Sequence, residues 1–275
     1  MLDDNIGYVR IAQFQEKTGS DLVRHLKDLS VKGAPRALIL DMRNDPGGLL
    51  NSAIGVSAAF LKPNSLVVST DGRAPDSKRK YLAVASDYAR GESDYLSGLP
   101  GWVKTVPMVV LVNVGSASAS EIVAGALQDH KRATIMGNRT FGKGSVQVIL
   151  PISENTAIKL TTSRYYTPNG RSIQATGIVP DEVVADTAEG DLFRVPREAD
   201  LQRHLSNRQN ETEVKGTADE PPLADTNKMF TFGAPEDFQL QQAINFLDGK
   251  PRQKAVAKPK AVSATEPSGG AAAKK

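Results

Sequence analysis

An almost wholly apolar run that stops at a turn of small residues constrains the fold more than any other feature. Residues 107–114 (PMVVLVNV) are largely β-branched, as expected of a strand that is buried on both faces. Residues 115–120 (GSASAS), called here the serine turn, lead into residues 121–127 (EIVAGAL), which have the composition of a helix. Because a strand buried on both faces needs covering layers, the pattern predicts an α/β protein.

The same strand, turn and helix pattern occurs earlier in the chain. Residues 37–42 (ALILDM) read as a buried strand, and Gly47-Gly48 then opens a predicted helix over residues 49–61. A strand over residues 6–14 and a helix from Thr18, with Thr18-x-x-Asp21 as its cap, precede this unit. Two strand-to-helix turns side by side can present converging backbone N–H groups.

Ser118 lies in the serine turn, at the predicted start of a helix. Backbone N–H groups without partners and the positive end of the helix dipole favour negative charge there, and the N–H of Ala119 is a natural oxyanion donor. A serine hydroxyl needs a base to become a nucleophile. None of the three histidines, at positions 25, 130 and 204, lies in a motif resembling a catalytic triad.

Lys143 is the alternative base, 25 residues after Ser118 in the glycine-flanked segment 141–144 (FGKG), called here the lysine turn. A lysine accepts a proton only when uncharged, which burial favours, and flanking glycines allow tight packing around the amine. The helix and the extended return that follow Ser118 are long enough to bring Lys143 back. Gln147, in the strand-like segment 145–150, could orient the amine from the same face.

Other interpretations of these residues stay open on local sequence alone. Ser118-x-x-Glu121 is a capping-box pattern, and Lys143 could be a solvated turn lysine. Residues 137–143 satisfy the first seven positions of a phosphate-binding loop. The eighth position is Gly144 instead of a serine or threonine, and a strand-like segment follows where a helix would be needed.

Four ordered motifs give the chain a specific resemblance to the carboxyl-terminal processing peptidases, also called tail-specific proteases. They are residues 40–48 (LDMRNDPGG), 112–122 (VNVGSASASEI), 140–147 (TFGKGSVQ), and 166–174 (YTPNGRSIQ) with 177–181 (GIVPD). The resemblance implies a serine endopeptidase acting near protein C-termini. The three histidines are far apart and no His-Glu-x-x-His motif occurs, so neither a metal nor a cofactor is expected. The resemblance also implies the family's superhelix of strand-strand-helix units, similar to crotonases and the caseinolytic protease.

Carried over by position, the resemblance makes Ser118 the nucleophile, Lys143 the general base and Gln147 the residue that orients the lysine. The backbone N–H groups of Ala119 and Gly48 become the oxyanion donors. Family members usually carry a signal peptide, a helical segment and a PDZ domain before this core, whereas this sequence reaches a core strand at Ile6. It is therefore expected to be the catalytic core alone, without the PDZ domain, from a periplasmic protein.

Composition divides the chain into three parts. A peptidase core is expected over residues 1–186, a helical extension with a polar linker over 187–248 and a disordered basic tail over 249–275. The formal net charge is +3, but the tail holds seven Lys and Arg against one Glu, so the rest has a net charge of −3. This distribution argues against nucleic acid as a partner, and no apolar run is long enough to span a bilayer.

Within the extension, helices are predicted around residues 199–207 and over residues 236–247. The second is amphipathic and could dock an adaptor protein or another copy of the chain. Two further function classes remain beside the peptidase with protein or peptide substrates. One is a catalytically silent binding module of the same fold, resembling the family's retinoid-binding relatives, and the other is a crotonase-like acyl-CoA enzyme with paired oxyanion donors.

Overall fold

A five-stranded parallel sheet forms the centre of the molecule. The computed structural model describes residues 1–2, 5–31, 33–74, 77–91, 93–207, 221–224 and 230–256. The strands of this sheet, in chain order, are β1 (Ile6–Arg10), β2 (Ala37–Asp41), β5 (Met108–Val112), β6 (Thr134–Gly137) and β9 (Glu182–Val183). Their spatial order is β1-β2-β5-β6-β9, so the connections between them cross over on the faces of the sheet.

Helices cover both faces of this sheet. On one face lie α1 (Thr18–Leu29), α2 (Leu50–Phe60) and α4 (Ala119–Asp129), whose apolar residues share one core with Leu38, Leu40 and Val110. On the other face, α5 (Phe238–Leu247) packs Leu240 and Ala243 against Ile39 and Leu111. Every residue of β2 and β5 is buried, which confirms the prediction of strands covered on both sides.

A second, four-stranded sheet has the order β4-β3-β8-β7. Its strands are β3 (Leu66–Gly72), β4 (Arg79–Leu82), β7 (Ser145–Ser153) and β8 (Thr156–Tyr166), and the short helix α3 (Ala85–Tyr88) follows β4. The hairpin of β7 and β8 extends the strand predicted over residues 145–150. Most of its side chains are exposed, so this strand is not a core strand like β2 and β5.

The helix predicted around residues 199–207 is wrong. A single 3₁₀ turn, Glu198–Asp200, stands there instead. Contacts to the core fix the segment in an extended course: the Glu198 N–H donates to the Phe141 carbonyl (3.0 Å), and the Asn207 amide donates to the Thr176 hydroxyl (2.7 Å). These tertiary hydrogen bonds outweigh the local helix preference of the segment.

The prediction of a disordered tail from residue 249 is also wrong at its start. Residues 249–256 lie against the core: Arg252 pairs with Glu182 at 3.0 Å, and the Val256 N–H donates to the Ala188 carbonyl. Residues 257–275, and most of the predicted polar linker, lie outside the described residues.

The helix predicted over residues 236–247 is confirmed as α5, with Asp237 as its N-cap. Its residues Leu240 and Ala243 are buried inside this chain, whereas Phe238, Ile244, Phe246 and Leu247 are partly buried. The architecture is a mixed α/β fold with a parallel sheet. None of the helices in the described ranges is both long and apolar enough to cross a membrane.

Candidate active site

Ser118 lies at the junction of the serine turn and α4, in an unusual backbone conformation. It is the N-cap of the helix, with φ 56° and ψ −109°. An ordinary N-cap residue has an extended conformation, and a non-glycine residue at positive φ is uncommon. Such strain persists only where the surrounding structure enforces it, and it is concentrated at functional sites. The conformation of Ser118 therefore goes beyond what capping a helix requires.

The glycine turn, residues 44–48, packs directly against the serine turn. A Cβ atom added to Gly47 would lie 2.5 Å from the Ala117 carbonyl oxygen and 2.8 Å from the Ala119 nitrogen. One added to Gly48 would lie 2.0 Å from the Phe14 carbonyl oxygen. Both glycines have positive φ, 95° and 148°. Only glycine allows the backbone to approach this closely in this conformation.

Two backbone N–H groups beside Ser118 have no acceptor within the described part of the chain: those of Gly48 and Ala119. The neighbouring groups are occupied, because the Gly47 N–H donates to Asp45 Oδ1 (2.8 Å) and the Leu49 N–H to the Phe14 carbonyl (2.9 Å). Gly48 is exposed, whereas Ala119 is fully buried. These are the two donors that the resemblance assigned to the oxyanion site.

A set of buried hydrogen bonds fixes the glycine turn to the serine turn. The Asp45 carbonyl accepts from the Ala117 N–H (3.0 Å) and from the Ser120 hydroxyl (2.9 Å). The Ser116 hydroxyl donates to the Met42 carbonyl at 2.8 Å. Ser116 and Ser120 are fully buried, so they serve as scaffold and are not accessible to a substrate.

The lysine turn is packed by its two glycines against residues 173–177. A Cβ atom on Gly142 would lie 3.2 Å from the backbone of Ala175, and one on Gly144 would lie 2.3 Å from the backbone nitrogen of Gln174. The buried Gln174 side chain also accepts from the Gly144 N–H at 3.1 Å. Lys143 itself is half-buried. Its position is therefore set by the backbone on either side of it.

A fully buried carboxylate, Glu121, joins the serine turn to the lysine turn. Its Oε2 accepts from the N–H groups of Ser118 (2.8 Å) and Lys143 (2.9 Å). Its Oε1 accepts from the Gly142 N–H and the Thr140 hydroxyl, both at 2.6 Å. Sequence reasoning recognised Glu121 only as part of a capping box. Its link to the lysine turn spans more than twenty residues, and no local pattern shows it.

Burial dominates the electrostatics of this carboxylate. It raises the pKa of Glu121 to about 7, although the four donors favour the ionised form. Burial likewise raises the pKa of Asp45, in the glycine turn, to about 6, and its Oδ2 has no hydrogen-bond partner within the described residues. Two carboxyl groups beside the site thus hold their protons to higher pH than exposed ones.

The structure brings the backbones of Ser118 and Lys143 together, but their side chains do not meet directly. Within the described residues, the Ser118 hydroxyl, the Lys143 amine and the Gln147 amide make no hydrogen bond with one another. Gln147 is exposed on β7, where the pairing with β8 is irregular between Val146 and Gln147. Orientation of the lysine by Gln147 therefore stays a prediction.

A cavity of about 290 Å³ opens at the carboxyl ends of β2, β5 and β6, where Asn44 of the glycine turn lines it but Ser118, Gly48 and Lys143 do not. The core contributes Asn44, Asn113 and Asn138, and the C-terminal residues contribute Phe193, Phe230 and Phe232. Asn44 and Asn113 are hydrogen-bonded to each other, and Asn113 Oδ1 also accepts from the Gly115 N–H at 3.0 Å. The cavity wall is thus continuous with the serine turn. Within the described ranges, no cluster of three or more Asp, Glu or His side chains could hold a metal ion.

The sequence profile of Peptidase family S41 matches residues 5–184, more than half of the chain. The chain belongs to this family. A carboxy-terminal-processing protease of Bartonella bacilliformis is 40% identical over 256 residues, which are 90% of this chain and 53% of the relative. A carboxyl-terminal-processing protease of Synechocystis sp. is 40% identical over 188 residues, 66% of this chain and 40% of the relative.

A solved structure is similar to this chain in both sequence and fold. The structure described as a photosystem II D1 C-terminal processing protease aligns with a TM-score of 0.53 at 36% identity. The alignment covers 65% of this chain and 42% of that one. The S41 chain described here thus spans about half the length of the curated relatives that it matches, or less.

Proposed function

We propose that this S41 chain is a serine endopeptidase in which Ser118 is the nucleophile and Lys143 the general base. The observation that carries the proposal is the strained Ser118 flanked by the Gly48 and Ala119 N–H groups, which have no other acceptor in the described residues. Donors fixed in advance around a developing oxyanion are among the largest contributions to acyl transfer. The names of the relatives support the same reaction class.

The proposed reaction has two acyl-transfer steps. In the first, Ser118 Oγ attacks the scissile carbonyl carbon while its proton passes to the neutral Lys143 amine, and the carbonyl oxygen becomes an oxyanion bound by the two N–H groups. The C–N bond then breaks, and the lysine returns the proton to the leaving amine. In the second step, water gives a proton to the lysine and its oxygen attacks the ester carbon. The ester C–O bond breaks, the lysine returns the proton to Ser118 Oγ, and the acid is released. Gln147 would orient the amine.

For substrates, we propose proteins of the cell envelope, cut near their C-termini in the periplasm. The three phenylalanines of the cavity lined by Asn44 could receive an apolar side chain of the peptide. The same proposal includes the superhelix of strand-strand-helix units and the division into a core over residues 1–186 and an extension over residues 187–248. It also includes an oligomer or an adaptor protein bound through that extension.

Hydrolysis of an unstructured protein by three serine variants tests the proposal. Ser118→Ala should abolish cleavage. Ser116→Ala removes two buried hydrogen bonds, with the Met42 carbonyl and the Asn113 N–H, and Ser120→Ala removes one, each at a cost of about 1–3 kcal/mol of stability. Both variants should leave measurable activity in a folded protein. Cleavage by Ser118→Ala at the parental rate would refute the assignment. A parental chain that binds peptides and cuts none would favour a silent binding module, and turnover of an acyl-CoA thioester would favour a crotonase-like enzyme.

A further inference from the structure

A fully buried ion cluster centred on Arg43 joins the C-terminal segment to the glycine turn. Arg43 Nε and Nη2 donate to the two Asp41 oxygens at 2.9 and 2.6 Å. Its Nη1 and Nη2 donate to the two Asp237 oxygens at 2.8 and 2.6 Å, and Nη1 also reaches Gln239 Oε1 at 3.0 Å. All four side chains are completely buried. The guanidinium is therefore held in one orientation by two bidentate carboxylates.

Asp237 anchors the C-terminal residues at the same time. Its Oδ1 accepts from the Leu240 N–H at the start of α5, and its Oδ2 accepts from the Gly233 N–H at 2.9 Å. The ring of Phe232 lies against the guanidinium, with its centroid 4.4 Å from Arg43 Cζ. Residues 230–248, called here the C-terminal strap, thus contact the core through a charged group and not only through apolar packing.

Arg43 also stands directly before the glycine turn. The backbone next to it is fastened to the site side, because the Met42 carbonyl accepts from the Ser116 hydroxyl and the Asn44 N–H donates to Asn113 Oδ1 at 2.9 Å. Residues 42–44 are therefore hydrogen-bonded to the serine turn and its preceding strand on one side and to the C-terminal strap on the other. Buried ion clusters contribute little net stability compared with apolar packing but demand a defined geometry.

We propose that Asp237 and Arg43 are positioning residues, through which the C-terminal strap holds the glycine turn so that the Gly48 N–H faces the oxyanion site. The inference rests on the proposed peptidase function. The strap lies beyond residues 5–184, the part that the family profile covers. The Bartonella relative, in contrast, matches over 90% of the chain. The strap thus supplies a part of the active-site architecture that the profile does not contain.

Asp237→Asn tests this role with little change in shape. Each Asp237 oxygen accepts one bond from Arg43 and one from a backbone N–H, so whichever oxygen becomes an amide NH₂ loses both. Because the Gly48 N–H is displaced from the oxyanion site, kcat should fall about 10-fold or more, a larger change than any change in KM. Asp248→Asn is the matched control: Asp248 also ties α5 to the core, through Arg36 at 2.5 Å, but it caps the opposite end of the helix, away from Arg43.

Hydrogen exchange at the glycine turn gives a second readout that needs no hydrolysis. The hydrogen-bonded amides of Asn44, Gly47 and Leu49 should exchange at least about 10-fold faster in Asp237→Asn, and at the parental rate in Asp248→Asn. Failure of the parental chain to cut peptides would count against the proposed function alone, and exchange would still decide the role of the strap.

The inference is overturned if folded Asp237→Asn retains the parental kcat, or if its exchange at the glycine turn matches that of Asp248→Asn. Should Asp237→Asn not fold, Arg43→Lys takes its place under the same criteria. It keeps the positive charge, but an ammonium cannot make the two bidentate contacts.

Discussion

Glu121→Gln should separate the geometry of the site from the stability of the fold. The amide keeps the shape of the side chain but exchanges one acceptor oxygen for a donor. The lowest-cost orientation turns the NH₂ group towards Thr140, whose hydroxyl can rotate and accept, and keeps the remaining oxygen on the N–H groups of Ser118 and Lys143. The Gly142 N–H, next to Lys143, is then left facing a donor.

Two terms of opposite sign set the effect on stability. One buried N–H without an acceptor costs about 1–3 kcal/mol. Above pH 7 the parental chain buries a charged carboxylate. Its pKa is about 7 instead of the ordinary 4.5, which corresponds to a cost on the order of 3 kcal/mol. The neutral amide of the variant does not have this cost. The net change should stay within about 2 kcal/mol, or roughly 8 °C in Tm.

Activity should respond far more strongly than stability. Because the lysine turn loses one of its anchors, the amine moves relative to Ser118, and a misplacement on the order of 1 Å can cost about 100-fold in rate. We therefore expect kcat for peptide hydrolysis to fall about 100-fold in Glu121→Gln, measured beside a thermal melt. Asp181→Asn is the control, because that carboxylate also accepts from a backbone N–H and a side-chain amide but contacts none of the three turns. A folded Glu121→Gln protein with kcat within about threefold of parental would refute the reasoning.

Three further outcomes are expected. Lys143→Arg should be nearly as inactive as Lys143→Ala in peptide hydrolysis, because a guanidinium stays protonated; substantial activity in the arginine variant would exclude a lysine base. Gly48→Ala should lose about 100-fold or more in kcat, since a Cβ there would lie 2.0 Å from a carbonyl oxygen, whereas Gly33→Ala, with φ 108° and open space, should not. Between about pH 4.5 and 7, Glu121 holds its proton in the folded parental chain but loses it on unfolding. The free energy of unfolding of the parental chain should therefore decline with rising pH relative to that of Glu121→Gln, as measured by chemical denaturation at several pH values. If the two free energies changed in parallel with pH, Glu121 would not titrate in this range.

Much of the fold was predictable because its elements carry strong local patterns. The buried strands β2 and β5, the helices α2, α4 and α5, and the turns between them follow from apolar runs and from the small residues that end them. The 3₁₀ turn at Glu198–Asp200 was not predictable, because long-range hydrogen bonds to the core decide its course.

The site divides in the same way. Ser118, Lys143, Gly48 and Ala119 stand in short motifs that can be read along the chain. The residues that hold them in place cannot be recognised from short motifs, because each connects segments far apart in sequence. Glu121 accepts a hydrogen bond from the lysine turn, and Arg43 binds Asp237 across 194 residues. Only folding shows which buried polar residues act together.

Active-site labelling tests the central claim most directly. The chain would be treated with a fluorophosphonate, which reacts with activated serines, and the modified peptide located by mass spectrometry. Attack by an activated Ser118 predicts one adduct, on Ser118, that is absent from Ser118→Ala and strongly reduced in Lys143→Ala. No adduct on the folded chain, an adduct on another serine, or labelling of Ser118 at the same rate without Lys143 would contradict the account.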